Sequence, residues 1–195
     1  MFYCFARFIC RVILAVFRRW EVRGAMNIPA EGGLILVVNH ISYWDPVVVG
    51  CAIDRKVHFM AKSELFNVPL LGPVILALGT FPVRRDKSDR TAVRTAIKLL
   101  EEGHVVGVFP EGTRSRTGEL LKPHRGAAML AMKAGVPMLP VAVSGTKGFF
   151  SKIIVNMGKP LLYGKRERVS RNELENAGVH VMTLIAGLLE EAAGR

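Results

Sequence analysis

The feature that most constrains the fold is a run of five aliphatic residues at positions 34–38, Leu-Ile-Leu-Val-Val, with no polar residue among them. A run of this kind, with Gly32 and Gly33 before it and polar residues after it, is typical of a strand buried on both faces. Such strands belong to parallel sheets that helices cover on both sides. The run therefore predicts an α/β fold.

Comparable short runs recur along the chain and alternate with segments that carry apolar residues at helical spacing. The predicted strands are residues 34–38, 57–60, 81–83, 104–109, 138–143 and 152–157, and the predicted helices are residues 46–52, 89–102 and 125–134. Asn172, with Glu175 three residues later, is predicted to open a last helix. Because strands alternate with helices, we expect a single α/β domain with a mainly parallel sheet flanked by helices.

The N-terminal segment, residues 1–20, is apolar except for Arg7, Arg11, Arg18 and Arg19. A wide apolar face with a basic stripe is typical of an amphipathic helix in a membrane interface, with its arginines at the headgroups. We therefore expect an interfacial helix over residues 1–20 and the globular domain over residues 21–195. Two alternatives remain open: a terminal helix packed on the protein's own core, and a cleaved signal peptide, against which the arginines count.

Charge and cysteine content restrict the partners and the compartment. Lys and Arg outnumber Asp and Glu by 27 to 16, so the formal net charge is +11 and an anionic partner is expected. Nucleic acid, a phosphorylated substrate and an acidic lipid surface would all satisfy this charge. The three cysteines have no metal-like spacing, so we expect neither a disulfide framework nor a zinc site, and a reducing cytosol fits.

His40 and Asp45 stand five positions apart, directly after the strand at residues 34–38. Open α/β sheets usually carry their sites at the carboxyl ends of strands. An imidazole, with an ordinary pKa of about 6.5, suits proton transfer at neutral pH, and a nearby carboxylate can fix its tautomer. The alternatives are a structural histidine and an aspartate that caps the helix opened by Pro46.

A second polar segment, residues 109–115, follows the strand predicted at 104–109, so a parallel sheet could bring it beside His40. Within it, Gly112 would let backbone N–H groups approach a ligand closely, and Arg114 supplies positive charge. Further basic residues fall at strand ends or in the same loop: Arg84, Arg85, Arg116 and Lys62. This combination is what a phosphate monoester requires, although each basic residue alone is typical of a solvated surface.

Four motifs resemble, in the same order, those of the glycerolipid acyltransferase family. Asn39-His40 to Asp45 matches its His-x4-Asp motif, and residues 79–85 match the second block, whose arginine aligns with Arg85. Residues 109–115, Phe-Pro-Glu-Gly-Thr-Arg-Ser, reproduce the third motif, and residues 136–141 resemble the fourth. The combination of the first and third motifs is highly specific, and the match spans roughly residues 20–160.

The resemblance implies a glycerol-3-phosphate acyltransferase-like fold and an acyltransferase domain over residues 21–195. It also implies transfer of a fatty acyl group from a thioester donor to the free hydroxyl of lysophosphatidic acid. His40 would act as general base and Asp45 would orient it. The residues that would hold the phosphate and glycerol are Arg85, Glu111, Gly112, Thr113 and Arg114, with Lys62 as a further helper.

The same resemblance implies an acyl-CoA or acyl carrier protein thioester as co-substrate, with no cofactor and no metal. The implied location is the cytoplasmic face of the cell membrane, against an anionic surface, as a peripheral or monotopic protein. Residues 68–78, broken by Pro69, Gly72 and Pro73, would form a broken helix that lines an apolar groove for the acyl chain. A buried core helix is the alternative for that segment.

Three other classes of protein compete with this interpretation. A serine hydrolase lacks support because no Gly-x-Ser-x-Gly elbow occurs, which leaves Ser42 and Cys51 as nucleophiles by composition alone. A nucleotide-binding enzyme lacks a complete phosphate-binding loop. A nucleic-acid-binding protein would explain the charge, but basic residues are not interleaved with aromatic ones, and no nucleic-acid partner is expected. Related acyltransferases that use glycerol 3-phosphate or another lysolipid also remain open.

Overall fold

The computed structural model describes residues 2–84, 89–148 and 151–194. In these residues seven strands form one sheet: β1 (Trp20–Arg23), β2 (Leu34–Val38), β3 (Val57–Lys62), β4 (Phe81–Val83), β5 (Val105–Val108), β6 (Met138–Ser144) and β7 (Ile153–Met157). The helices are α1 (Phe2–Phe17), α2 (Asp45–Ala52), α3 (Leu71–Ala77), α4 (Arg90–Glu101), α5 (Gly126–Ala134) and α6 (Arg171–Ala192). Short 3₁₀ turns lie at Ala25–Asn27 and Ser63–Asn67.

The strand order is β1-β7-β6-β2-β5-β3-β4, and every neighbouring pair is parallel except β6 and β7. The predicted α/β fold with a mainly parallel sheet is therefore confirmed. The strand β1 was not predicted, because Trp20–Arg23 alternates polar and apolar residues over only four positions, and its first residue, Trp20, was placed at the end of the N-terminal helix. Its pairing with β7, which the local sequence does not reveal, gives it a place in the sheet.

Helices cover both faces of the sheet. The side chains of Leu34, Leu36 and Val38 on β2 point to a core under α1 and α2, whereas those of Ile35 and Val37 join a core under α4, α5 and α6. All five residues of β2 are fully buried, as the unbroken aliphatic run predicts. The strand β2 is thus the centre of the sheet, and the loop that begins at Asn39 is anchored to this buried strand.

Local signals placed most helix ends correctly. Asp89 caps α4 by accepting hydrogen bonds from the N–H groups of Thr91 and Ala92, and Gly135 ends α5 in a left-handed conformation. The predicted start of α6 was wrong. The capping box is formed by Ser170 and Glu173, not by Asn172 and Glu175, because Ser170 has the extended backbone that an N-cap needs.

The helix α1 ends at Phe17 and packs on α2 with its basic stripe facing the protein. Arg7 donates a hydrogen bond to Ile53 O at 2.9 Å, and Arg11 donates to Cys51 O at 2.8 Å, both at the carboxyl end of α2. These cations complement the negative end of the helix dipole. Arg11 also pairs with Asp54 at 2.9 Å. The prediction that the arginines of α1 reach lipid headgroups was therefore wrong for Arg7 and Arg11.

The other face of α1 is apolar and exposed. Phe5 and Phe8 are 65% and 64% exposed, and the neighbouring apolar side chains on the same face are also open: Phe2, Ile9, Val12, Ile13, Val16 and Phe17. Leu14, on the inner face, is only 2% exposed and belongs to the core. Among the described residues, no helix combines the length and the apolar run that crossing a bilayer requires.

Candidate active site

The two polar segments singled out in the sequence meet at one edge of the sheet. The strands β6, β2, β5 and β3 are parallel neighbours, so their carboxyl ends lie together. His40, after β2, donates its backbone N–H to Glu111 Oε1 at 2.8 Å, and Ser115 N donates to His40 O at 2.7 Å. The prediction that the loops after β2 and β5 form one site is consistent with this geometry.

His40 and Asp45 form a hydrogen-bonded pair. His40 Nδ1 lies 2.9 Å from Asp45 Oδ2, and the side chain of Asp45 is fully buried whereas that of His40 is 13% exposed. An ionised carboxylate can only accept a hydrogen bond, so Nδ1 carries the proton. The second ring nitrogen, Nε2, is then the basic atom, which is the arrangement that general-base catalysis by histidine uses.

Asp45 is held by four donors and does not cap its helix. Its Oδ2 accepts the N–H groups of Ile41 and Ser42, each at 2.7 Å, in addition to His40 Nδ1, and its Oδ1 accepts Thr146 Oγ1 at 2.6 Å. The helix α2 begins at Asp45 itself, and Pro46 occupies its first turn. The suggested capping role was therefore wrong: three of these bonds join the carboxylate to the loop that carries His40, the fourth joins it to Thr146, and none caps α2.

An aromatic stack supports the imidazole from one side. The ring centroids of His40 and Phe109 are 4.0 Å apart with an interplanar angle of 23°, and Phe109 stacks in turn on Phe59 at 5.7 Å. Phe59 lies within β3, so the stack joins the loops after β2 and β5 to the neighbouring strand β3. The hydrogen bond to Asp45 and the face of Phe109 together restrict both the tilt and the rotation of the histidine ring.

Glu111 lies behind the histidine. Its Oε1 accepts the N–H of His40 and its Oε2 accepts the N–H of Leu121 at 3.1 Å, and the residue is only 4% exposed. Burial raises the pKa of its carboxyl above the ordinary value, against the effect of the two N–H donors. In this position Glu111 ties three segments of backbone together. Its predicted direct contact with a substrate phosphate stays a prediction, and such a contact would bring two anions together.

Gly112, Thr113 and Arg114 line the same cavity as His40. Gly112 has a φ of +68°, and an added Cβ would lie 2.8 Å from the ring of His124, so the turn requires glycine. Arg114 Nη2 donates to Tyr43 Oη at 2.7 Å, and its guanidinium stacks 3.5 Å from the centre of the Tyr43 ring. Tyr43, which the sequence analysis did not select, therefore fixes the direction of the arginine.

The other basic residues occupy different positions. Lys62 ends β3, lines the cavity and pairs with Glu64 at 2.8 Å, and this pairing lowers the pKa of Glu64 to about 2. Arg84 lies near Asp89, with 3.6 Å between Nε and Oδ2. Arg85, the arginine selected from the second motif, lies outside the described residues, so its role stays a prediction.

A cavity of about 900 Å³ opens beside the His40–Asp45 pair. Its size is at the upper end of the range typical of ligand pockets. Much of its lining is apolar and comes from α2, β3, α3 and the residue that follows α3, including Val47, Phe59, Leu71, Ile75 and Leu78. The segment 68–78 thus contributes to an apolar groove, as one of the two interpretations of the sequence held. The inner face of α1 forms a further wall through Tyr3, Ala6, Arg7 and Cys10, which the sequence analysis did not anticipate.

Neither of the alternative nucleophiles is activated. Ser42 Oγ accepts from Trp44 N at 3.2 Å and lies 3.4 Å from Thr146 O, and in the described part of the chain it makes no hydrogen bond to His40. Burial raises the pKa of the Cys51 thiol to about 12, so this group stays protonated at neutral pH. Among these candidate groups, His40 is therefore the one whose arrangement suits proton transfer.

Comparison with known proteins agrees with this arrangement. Residues 19–144, well over half of the chain, match the family model described as Acyltransferase. The chain is 34% identical over 165 residues to the 1-acyl-sn-glycerol-3-phosphate acyltransferase of Bacillus subtilis, covering 82% of each chain. It is 36% identical over 141 residues to the protein of that name from Borreliella burgdorferi, covering 70% of this chain and 56% of the relative.

The fold is also similar to a solved structure. The crystal structure of the 1-acyl-sn-glycerophosphate (LPA) acyltransferase PlsC from Thermotoga maritima superposes with a TM-score of 0.79 at 29% identity, covering 99% of this chain and 80% of that one. The family model, the curated relatives and the shared fold agree with one another. The chain belongs to the acyltransferase family.

Proposed function

We propose that this protein transfers a fatty acyl group from a thioester donor to the sn-2 hydroxyl of lysophosphatidic acid and so forms phosphatidic acid. The observation that carries the proposal is the hydrogen-bonded pair of His40 and Asp45, whose histidine lines a large and mainly apolar cavity. Arg114 lines the same cavity and would supply a cation for the phosphate. The names of the relatives from Bacillus subtilis and Borreliella burgdorferi support this choice of acceptor.

The reaction needs one base and no covalent enzyme intermediate. The acceptor hydroxyl gives its proton to His40 Nε2 while its oxygen attacks the thioester carbonyl. The new C–O bond forms as the C–S bond breaks, and the proton on His40 then passes to the departing thiolate. A thiol has an ordinary pKa of about 8.5, so the thiolate is a good leaving group without a second acid. The donor is an acyl-CoA or an acyl carrier protein thioester, and the chemistry of the site requires neither cofactor nor metal.

An acceptor panel tests the proposal. The purified protein is incubated with one acyl-CoA and, separately, with lysophosphatidic acid, glycerol 3-phosphate and a lysolipid without a phosphate monoester. We expect the lysophosphatidic acid to be acylated with the highest kcat/KM, because it alone combines a phosphate monoester with an acyl tail that the cavity can hold. Acylation of glycerol 3-phosphate in preference to lysophosphatidic acid would contradict the proposed acceptor.

Arg114→Ala is expected to raise KM for lysophosphatidic acid with a smaller effect on kcat. A charge-assisted contact to phosphate contributes on the order of 1.5–3 kcal/mol, which corresponds to about 10- to 100-fold in affinity. Arg116→Ala is the matched control, because Arg116 lies in the same basic loop and does not line the cavity. Steady-state kinetics with varied acceptor and saturating donor give both constants. A variant with normal KM for the acceptor and a raised KM for the donor would show that Arg114 binds the acyl donor and not the phosphate of the acceptor.

We propose further that α1 docks on an anionic membrane surface through its exposed apolar face. Phe5 and Phe8 are two large exposed rings of that face, and an apolar surface of this kind is typical of membrane or protein contacts. Because Arg7 and Arg11 bind α2, attraction to anionic lipid would come from the overall charge of +11. The cytoplasmic face of the cell membrane, as a peripheral or monotopic protein, remains the predicted location.

The double variant Phe5→Ser/Phe8→Ser is expected to lose flotation with vesicles of phosphatidylcholine and phosphatidylglycerol while keeping activity on detergent-dispersed substrate. Removing two exposed rings takes away apolar contact with lipid and leaves the inner face of α1 unchanged. Val179→Ser is the control, because Val179 is an exposed apolar residue on α6, which covers the opposite face of the sheet. Equal flotation of the double variant and the wild type would reject α1 as the docking element.

A further inference from the structure

We infer that Thr146 is a positioning residue for acyl transfer, which acts by fixing the carboxylate of Asp45. The inference rests on the proposed function, since it assigns a third member to the His40–Asp45 pair. Thr146 lies in the turn after β6, and neither the motifs nor the cavity lining includes it. Its hydroxyl reaches the side of Asp45 that is remote from His40.

The backbone brings Thr146 to this place through an extension of the β2–β6 pairing. Asn39, directly after β2, exchanges two hydrogen bonds with Val143: its Nδ2 donates to Val143 O at 3.0 Å and its Oδ1 accepts Val143 N at 2.7 Å. Asn39 is only 1% exposed, so these bonds have little competition from water. The amide side chain thus continues the ladder past the end of β2. It sets the loop that carries His40 in register with the turn that carries Thr146.

Gly145 then turns the chain so that Thr146 faces inward. Its φ is +76°, and a Cβ added there would lie 1.9 Å from Lys152 O, so only glycine fits. Arg18 of the segment after α1 holds the same turn by donating to Gly145 O at 3.0 Å and to Gly148 O at 2.6 Å. The conformation of Gly145 and the hydrogen bonds from Arg18 therefore hold the backbone of the turn, independently of any contact made by the side chain of Thr146.

The contact itself has the features of a strong, buried hydrogen bond. Thr146 Oγ1 lies 2.6 Å from Asp45 Oδ1, and Thr146 is 2% exposed. Hydroxyl-to-carboxylate bonds in this range are charge-assisted and well above average in strength. In the described part of the chain Thr146 is the one donor to Oδ1, whereas Oδ2 has three donors. The hydroxyl therefore sets the plane of the carboxylate, and through it the direction of His40.

A hydroxyl at this position is best explained by its effect on the carboxylate. Valine has nearly the same shape as threonine and would fill the same buried space without a polar atom to satisfy. Ser42 Oγ lies 3.4 Å from the carbonyl of Thr146, so the backbone of the turn also touches the loop between His40 and Asp45. Loss of the hydroxyl would leave Oδ1 buried and unpaired, and the carboxylate would then be held through Oδ2 alone and could shift relative to His40.

The test compares Thr146→Val, Thr146→Ser and the control Thr183→Val, using acyl-CoA and lysophosphatidic acid. Thr183 is an exposed threonine on α6, and among the described residues its hydroxyl bonds only within its own helix, to Val179 O. We expect T146V to lower kcat by about 10- to 100-fold, the range associated with small displacements of a catalytic group. KM for both substrates should stay unchanged, because Thr146 does not line the cavity. T146S should recover most of the kcat that T146V loses, and T183V should have the kcat of the wild type.

Rates are expressed per folded molecule, with the folded fraction taken from circular dichroism at the assay temperature. If T146V does not fold, Thr146→Ala removes the same hydroxyl and takes its place in the comparison with T146S. A wild-type kcat in folded T146V, or a T146S variant as slow as T146V, would overturn the inference. Failure of the wild-type protein to acylate lysophosphatidic acid would count against the proposed function instead, so the two outcomes are distinct.

Discussion

Replacement of His40 by alanine is expected to lower kcat for acyl transfer by about 10²- to 10⁴-fold, the range that a positioned general base contributes. The variant loses the atom that takes the hydroxyl proton, and neither Lys62 nor Glu111 can replace it. Lys62 is cationic and paired with Glu64, and the carboxylate of Glu111 is turned to two backbone N–H groups. The fold should survive, because His40 is partly exposed and packs mainly on Phe109.

A second variant at the same position separates the effect of losing the base from the effect of losing the hydrogen bond to Asp45. Asparagine at position 40 can place an amide N–H near the position of Nδ1 and so keep a donor for Asp45, but it has no basic nitrogen. We expect H40N to be as inactive as H40A and to melt closer to the wild-type temperature. His180, an exposed histidine on α6, provides the control substitution H180A. Folded H40A or H40N protein with wild-type activity would refute the proposed mechanism.

The second large effect is expected from Asp45→Asn. The amide oxygen can take over the three donors of Oδ2, and the amide N–H₂ can face Thr146 Oγ1, which is able to accept as well as donate. The geometry of the loop is therefore retained, and the negative charge beside the imidazole is removed. Loss of the charge from a comparable histidine–aspartate pair costs up to about 10⁴ in kcat, and we expect a loss of about 10²- to 10⁴-fold here.

Steady-state rates and thermal unfolding of D45N show whether a loss of kcat comes from the lost charge or from a change in the loop. A low kcat with a melting temperature near that of the wild type would show that charge, rather than loop geometry, supports the base. Asp89→Asn is a matched control, since Asp89 also accepts several backbone N–H groups but caps α4 away from His40. A D45N variant that keeps its activity would mean that Asp45 serves only to hold the loop.

The sequence predicted the elements of the site better than the contacts between them. His40 and Asp45 could be found because two polar residues after a fully apolar strand have a fixed position relative to the sheet. The same rule applied to β6 would have drawn attention to Thr146, which follows that strand by two residues. Glu111 was assigned to the substrate because a motif gives residue types and no directions. Only the folded chain shows that its oxygens face the backbone of His40 and Leu121.

The helix α1 shows why amphipathic pattern alone cannot assign an orientation. A helical wheel predicts that Arg7 and Arg11 share one face, and the structure agrees, but the wheel does not say which face meets the protein. The apolar face was correctly expected to point away from the core, whereas the arginines were expected at headgroups. The carbonyl groups at the end of α2 attract those arginines, and this interaction is invisible in the local sequence.

The position of α1 has a consequence for the way in which a long-chain lipid would reach His40. One face of α1 forms a wall of the cavity, and the opposite face carries Phe5 and Phe8 toward the proposed bilayer. Two apolar compartments are then separated by the width of a single helix, about 10–12 Å. Moving a tail of about sixteen carbons through water would cost on the order of 10 kcal/mol, at about 0.8 kcal/mol per methylene. A tail that moved between these compartments without entering bulk water would avoid most of this cost, so α1 would lower the barrier to substrate entry as well as hold the protein at the surface.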